Sequence, residues 1–269
     1  MVGSRLVTQP DDDFDNGWDN VATLVDGRWV DRSPRYPDRE PQLRREAALL
    51  PWLAPLLPLP VPVPSVVSQS PLTLRYAYLP GQPCPGTSRE HGHEIGGFLR
   101  TLHAVDPATA VAHGLLDAAS AFDDAQETRD RMQVDVLPRL PDRLQAAGAA
   151  LLERASRPVS DPRVVHGDLG LDHIRVTDDE VTGVIDWGDS CAGDPAIDLA
   201  ATTLSASPAF AEAVIAAYQP DDALLARARD WHLLGPWHEV LYGLGTGGHA
   251  FVESGLAGTV ARLERFGSP

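Results

Sequence analysis

The segment His166-Gly167-Asp168-Leu169-Gly170-Leu171-Asp172-His173, with Asp186-Trp187 beginning eighteen positions after Asp168, constrains this 269-residue chain more than any other feature. Val164-Val165 reads as a short strand running into it. Ile174–Thr177 and Thr182–Ile185 alternate and contain β-branched residues, and the polar triplet Asp178-Asp179-Glu180 between them reads as a turn. A hairpin that pairs Thr177 with Thr182 sets Arg175 opposite Val184 and His173 opposite Asp186. Facing side chains in such a pair lie roughly 4.5–5.5 Å apart at Cβ, close enough to share one cation. Asp168 sits on the loop that leads in. An isolated His-x-Asp is an ordinary capped loop; the whole run of strand, loop, hairpin and Asp-Trp is not.

Phosphoryl transfer needs one carboxylate to orient a hydroxyl, and a second carboxylate with a neighbouring ligand to hold Mg²⁺ against nucleotide phosphates. The spacing matches the kinase catalytic-loop template, in which the base Asp is followed five positions later by a metal-binding Asn, and after a hairpin by a metal-binding Asp. Val164–Ala200 resembles the catalytic core of the aminoglycoside phosphotransferase family, a kinase-like group that includes macrolide phosphotransferases and several metabolite kinases. VVHGDLG, VTGVIDWGD and GDPAIDLA carry the likeness. GWDN (Gly17–Asn20), DGRWVDRSPR (Asp26–Arg35), REAALLPWL (Arg45–Leu53), YLPGQP (Tyr78–Pro83) and HEVLYGLGTG (His238–Gly247) extend it over most of the chain in the right order.

The resemblance implies an α+β, two-lobed protein-kinase-like fold, with a small β-rich N-lobe and a larger, mostly helical C-lobe. It implies ATP or GTP with Mg²⁺ as cofactors. Asp168 would be the catalytic base or the group orienting the acceptor hydroxyl. His173 and Asp186 would bind the metal. Arg32 and Glu46 would stand where a strand lysine and its helix glutamate steady the nucleotide phosphates, and Asp198 would anchor the catalytic loop from below. The chain departs from the pattern twice. It contains no lysine, so Arg32 must supply the phosphate-binding charge, with a different shape and hydration. Asp31 beside it is odd for a buried strand. His173 replaces the usual Asn; an imidazole can ligate a metal, although Mg²⁺ prefers oxygen. His here is similar to the macrolide phosphotransferase pattern.

The net charge of −16 argues against a nucleic-acid partner. It agrees with a cationic small-molecule acceptor, though acidity also serves solubility. Cys84 and Cys191 form no metal or disulfide pattern, which fits a reducing cytoplasmic setting. No apolar leader is visible at the start of the sequence. The most apolar stretch is broken at Pro51, Pro55, Pro58, Pro60, Pro62 and Pro64, so no membrane helix and no membrane partner is expected.

Residues 1–80 read as the nucleotide-binding N-lobe. Strands Asn20–Val25 and Arg28–Val30 flank the turn Asp26-Gly27, and the preceding loop Phe14–Asn20 is placed to cover phosphates. A helix over Pro41–Leu50 should stop at Pro51. Strands Ser65–Val67 and Thr73–Tyr78 follow, with Tyr76–Leu79 as hinge and the boundary at Pro80-Gly81. Residues 81–269 read as the catalytic and acceptor-binding C-lobe. There Ile95, Phe98, Leu99 and Leu102 share a helical core face, and His103 ends that helix as a packed or capping residue. Broken helices over 117–156 precede the catalytic hairpin. Pro195–Ser205, Pro208–Tyr218, Ala223–Gly245 and Gly248–Phe266 read as helices after it. The stretch Trp231-His232 through Trp237-His238-Glu239 and Tyr242 is the candidate acceptor wall, with Glu239 for an ammonium and the aromatics for a sugar or macrocycle; Asp189, just after the metal site, is another acceptor-side candidate.

The resulting expectation is ATP/GTP-dependent transfer of the γ-phosphate to a hydroxyl of a small molecule, an antibiotic (macrolide or aminoglycoside) first and a metabolite such as an amino alcohol or sugar second. Two rivals stand beside it. His166, Asp168, His173 and Asp186 would make a Zn²⁺ hydrolase centre, which leaves Arg32 and Glu46 without a purpose; tightly held Zn²⁺ would reveal it. A catalytically inactive kinase-like binding protein would bind nucleotide without turnover.

Overall fold

The computed structural model describes residues 19–178 and 180–266. Phe14–Trp18 of the expected phosphate-covering loop, and Asp179 of the hairpin turn, lie outside them. The small lobe is an antiparallel sheet of order β1-β2-β4-β3, built from β1 (Asn20–Val25), β2 (Trp29–Pro34), β3 (Ser65–Gln69) and β4 (Leu72–Ala77). Helix α1 (Glu40–Leu53) packs on it, and Leu43, Leu72 and Leu74 form its core.

Pro51 does not end α1, contrary to the expectation from sequence. Proline costs a helix interior about 3 kcal/mol. Here only Trp52 and Leu53 follow it. Leu49, Leu50 and Leu53 are buried in the large lobe's core, and that burial outweighs one lost hydrogen bond. Asp31 is likewise explained. It faces Arg75 across the β2–β4 register and accepts from its Nε at 2.6 Å and Nη2 at 2.7 Å. Strand alternation then turns Arg32 to the opposite face.

The large lobe begins with β5 (Gln82–Pro83), α2 (Arg89–Leu102), α3 (Pro107–Ala112) and α4 (Ala118–Arg131). A π turn and a 3₁₀ turn at Leu137–Arg139 lead to α5 (Asp142–Ala155). Next come β6 (Arg163–Val165), β7 (Ile174–Val176), β8 (Val181–Val184) and β9 (Cys191–Gly193). Helices α6 (Ala196–Leu204), α7 (Pro208–Tyr218), α8 (Asp222–Thr246) and α9 (His249–Phe266) close the fold. The chain thus has the two-lobed kinase-like architecture, with a small antiparallel-sheet lobe and a mostly helical one. Among the described residues no helix is long and apolar enough to cross a membrane.

The main core joins Ile95, Phe98, Leu99 and Leu102 of α2 to the catalytic hairpin and to α1. Trp187 sits fully buried within it, edge-on to Phe98, with its Nε1 donating to the Val184 carbonyl at 3.0 Å. Burying an indole of ~150–250 Å² is worth roughly 4–6 kcal/mol at ~25 cal/mol per Å². The Trp of the Asp-Trp pair therefore nails the end of β8 to the core and fixes where Asp186 stands.

Candidate active site

The catalytic loop runs from β6 to β7, and β6 pairs with β9. Gly167 has φ +88°, and a Cβ there would collide with the Asp189 carbonyl, so the middle position of His-Gly-Asp must be glycine. Beneath the loop Asp198 is wholly buried. Its carboxylate accepts from the backbone N–H of His166 at 2.8 Å and of Gly167 at 3.0 Å, and from the His103 ring at 3.0 Å. Tyr218 Oη meets the other ring nitrogen of His103 at 2.8 Å. Burial alone would raise the Asp198 carboxyl, but these donors and the nearby histidines hold it below the usual carboxylate range. His166 is also wholly buried. Its Nε2 donates to the Ile185 carbonyl at 2.9 Å, and its Nδ1 receives the Asp168 N–H at 3.3 Å. That pair of bonds selects the neutral Nε2-H tautomer, and burial pushes its pKa down.

The hairpin register differs by one from the sequence expectation. Ile174 faces Val184, and Arg175 faces Gly183 rather than Val184, with a bulge between Arg175 and Val176. His173 therefore pairs through its backbone with Ile185, whose N–H it accepts at 2.9 Å. The two expected metal-binding side chains still meet. Asp186 leaves the strand with φ +65°, a left-handed conformation that Asp tolerates better than most residues. Its Oδ2 comes within 3.7 Å of His173 Nε2. His173 Nδ1 donates to the Asp168 carbonyl at 2.7 Å, which leaves Nε2 facing Asp186. Burial disfavours a charged His173, yet Asp186, Asp168 and Asp172 outweigh it and raise its pKa. The Asp168 carboxylate is 60 % exposed and opens on the cleft.

From the other lobe, Arg32 crosses to the same point. It is held by Glu46 through Nη1, at 3.1 and 2.9 Å to the two oxygens, and it reaches Asp186 Oδ1 through Nη2 at 2.5 Å. Arg32 and Glu46 are both buried. Burial opposes charge on Arg32, but Glu46 and Asp186 more than compensate and raise its pKa; burial raises Glu46, with Arg32 opposing. Arg32 also contributes to lowering Asp186 against the cost of burial. Asp186 is therefore ionised and available to a cation. Among the described residues no three His, Cys, Asp or Glu side chains form a ready-made metal cage. Mg²⁺ characteristically takes only one or two carboxylates, with waters and substrate phosphates completing its shell. Asp186 fits that habit as the carboxylate, with the His173 imidazole beside it a nitrogen ligand that Mg²⁺ favours less, whereas a self-sufficient Zn²⁺ centre would need a fuller set.

One continuous cleft of about 3390 Å³ runs from the lobe junction across the large lobe, several times the ~300–1,000 Å³ of a single ligand pocket. It has room for a nucleotide and an acceptor together. Asp189 and Tyr242 line it, but Glu239 and Trp237 do not. Trp237 is fully buried in a second core with Leu233, Leu234 and Met132. Glu239 follows His238 by about 100° around the helix, and its charge acts on Arg262 of α9. On α8 the cleft face is instead Trp231, Leu234, His238 and Tyr242.

Asp189 is exposed and lines the cleft. Its carboxyl is pushed up to about 7, first by loss of hydration and then by Asp168, Asp186 and Asp19. Gln42 of α1 donates to it at 3.0 Å and ties the two lobes together. Gln42 was missed from sequence, although it lies one helical turn before Glu46 on the same face.

Residues 13–231 match the sequence model of the phosphotransferase enzyme family, APH. An uncharacterized protein of Bacillus subtilis (strain 168), YcbJ, is 29% identical over 194 residues, which cover 63% of this chain and 60% of that protein. The match thus spans less than two thirds of that relative's length. The GDP and kanamycin complex of APH(2")-IIIa superposes with a TM-score of 0.82 at 21% identity, covering 93% of this chain and 91% of the other. The apoenzyme of macrolide 2'-phosphotransferase MphH from Brachybacterium faecium superposes with a TM-score of 0.70 at 27% identity, covering 91% and 89%. With its catalytic loop, hairpin and small-lobe sheet all inside the matched residues, the chain belongs to the phosphotransferase enzyme family.

Proposed function

We propose that this protein transfers the γ-phosphate of ATP or GTP to a hydroxyl of a small molecule, with residues 1–80 binding the nucleotide and 81–269 the acceptor. One observation carries the reading. Arg32, anchored by Glu46 on the small lobe, converges on Asp186 where His173 and the catalytic loop bearing Asp168 also meet. The GDP-bound and ADP-bound relatives lend it support.

In this reading Asp186 and His173 hold Mg²⁺, which neutralises the triphosphate. Arg32 steadies the phosphates with the charge a lysine would otherwise bring. Asp168 accepts or orients the acceptor proton, help typically worth 10²–10⁴-fold. Asp198 and His166 fix the loop that presents it. Positioning and charge do most of the work, because little covalent chemistry is asked of the protein.

Relatives in complex with kanamycin and with gentamicin, and a macrolide phosphotransferase, support an antibiotic, aminoglycoside or macrolide, as acceptor. A metabolite hydroxyl is the second reading. Labelled ATP and GTP assayed against macrolides, aminoglycosides and amino-alcohol or sugar metabolites test both. In the wild type some acceptor becomes labelled; Asp168→Asn lowers that rate at least ~10²-fold with nucleotide affinity nearly intact. Near-normal turnover in that variant would remove Asp168 from its role.

A further inference from the structure

Among the arginines that line the large-lobe cleft, four have a carboxylate partner, Arg157 with Glu153 being one. Arg154 binds Asp230, Arg163 binds Asp161 and Arg227 binds Asp194. Arg129 of α4 is different. It lines the same cleft as Asp168 and Tyr242, is only 6% exposed, and has no carboxylate within ion-pair distance among the described residues. Its Nη2 donates to the neutral Gln126 amide at 3.2 Å, and its guanidinium lies 5.5 Å from the Phe122 ring centre. Its buried Nε has no partner. The adjacent Asp130 is exposed, and its carboxylate instead accepts from Gln126 at 2.8 Å. One turn on, Met132 is buried among Leu234 and Trp237, so Arg129 stands near the seam between α4 and the acceptor helix α8.

A guanidinium cannot shed its proton to escape burial. An unpaired buried charge is strongly destabilising, and proteins ordinarily match each one with a counter-ion. The planar fork of N–H groups suits a carboxylate or a phosphate bidentately. We infer that Arg129 is an oxyanion subsite, and that the acceptor carries a carboxylate or phosphate beside the hydroxyl it presents to Asp168. The inference rests on the phosphotransferase reading for the acceptor's hydroxyl. Within that reading it points to an acidic metabolite rather than a polycationic antibiotic.

The test uses the full chain with the nucleotide site filled by Mg²⁺ and a non-hydrolysable ATP analogue. Gluconate is titrated against gluconamide, and glycerol 3-phosphate against glycerol, by calorimetry. At least one acid should bind about tenfold or more tightly than its neutral counterpart, and the pair that responds separates carboxylate from phosphate. The preference should vanish in Arg129→Met and survive in part in Arg129→Lys. Arg129→Met should also melt no lower than wild type without ligand, since it removes a buried unpaired charge. Equal binding of both acids and their neutral counterparts, or a preference that persists in Arg129→Met, overturns the subsite. Failure of the nucleotide analogue to bind is read separately in the same titration, and would count against the phosphotransferase reading instead.

Discussion

Replacing Asp198 by alanine removes the acceptor of three buried hydrogen bonds: the His166 and Gly167 backbone N–H groups and the His103 ring nitrogen. A buried donor left without a partner costs about 1–3 kcal/mol. The two backbone donors cannot turn away, while His103 keeps Tyr218 and can change tautomer. The expected loss is therefore about 2–6 kcal/mol, a large part of the ~5–15 kcal/mol available to a typical domain. Asp198→Asn keeps one carbonyl oxygen and should lose about half as much. Urea denaturation followed by tryptophan fluorescence reads the loss, because Trp187 packs against His166 with ring centres 4.8 Å apart.

The pH dependence has a definite sign. The Asp198 carboxyl is held below its ordinary value. Its stabilisation is thus fully present above the unfolded value of about 3.9 and lost as pH falls through the lowered native one. The gap between wild type and Asp198→Asn should be constant near neutrality and close only in acid. A loss under about 1 kcal/mol for Asp198→Ala, or a gap that closes near neutral pH, would refute the reasoning.

Two further perturbations probe the ligand end of the site. Glu46→Ala strips Arg32 of its buried partner, and breaking such a pair costs about 3–5 kcal/mol. Because Arg32 keeps Asp186, the lower end is expected in urea unfolding, and a change below about 1 kcal/mol would show the pair to be dispensable. His173→Asn should retain phosphotransfer within about tenfold if the imidazole serves as a metal ligand in the Asn position; an inert variant in the same labelled-nucleotide assay would require a function peculiar to the imidazole.

The convergence of Asp168, His173 and Asp186 was legible because they are close in sequence. They belong to one loop and one hairpin, so local geometry alone brings them near each other. Register was less secure. The turn pairs Thr177 with Glu180, so the ladder starts two positions from the expected register; the bulge beside Val176 recovers one, and the left-handed Asp186 restores the meeting by a route that alternation does not encode. The acceptor wall was least legible. Helix α8 is buried around most of its girth, so its sequence does not reveal which side faces the cleft: of the expected wall Trp231, His238 and Tyr242 line it, while Trp237 packs in the core. Arg129 reads as one more charge on a solvated helix. Only the fold shows it to be buried and unpaired.

Calorimetric titration of the wild type and Asp186→Ala with a non-hydrolysable ATP or GTP analogue, with and without Mg²⁺, tests the central claim most directly. Wild type should bind far more tightly with the metal than without it, and Asp186→Ala should lose that difference. Equal affinity in the two proteins, with Mg²⁺ present, would contradict the assignment of the hairpin end as the metal–nucleotide site.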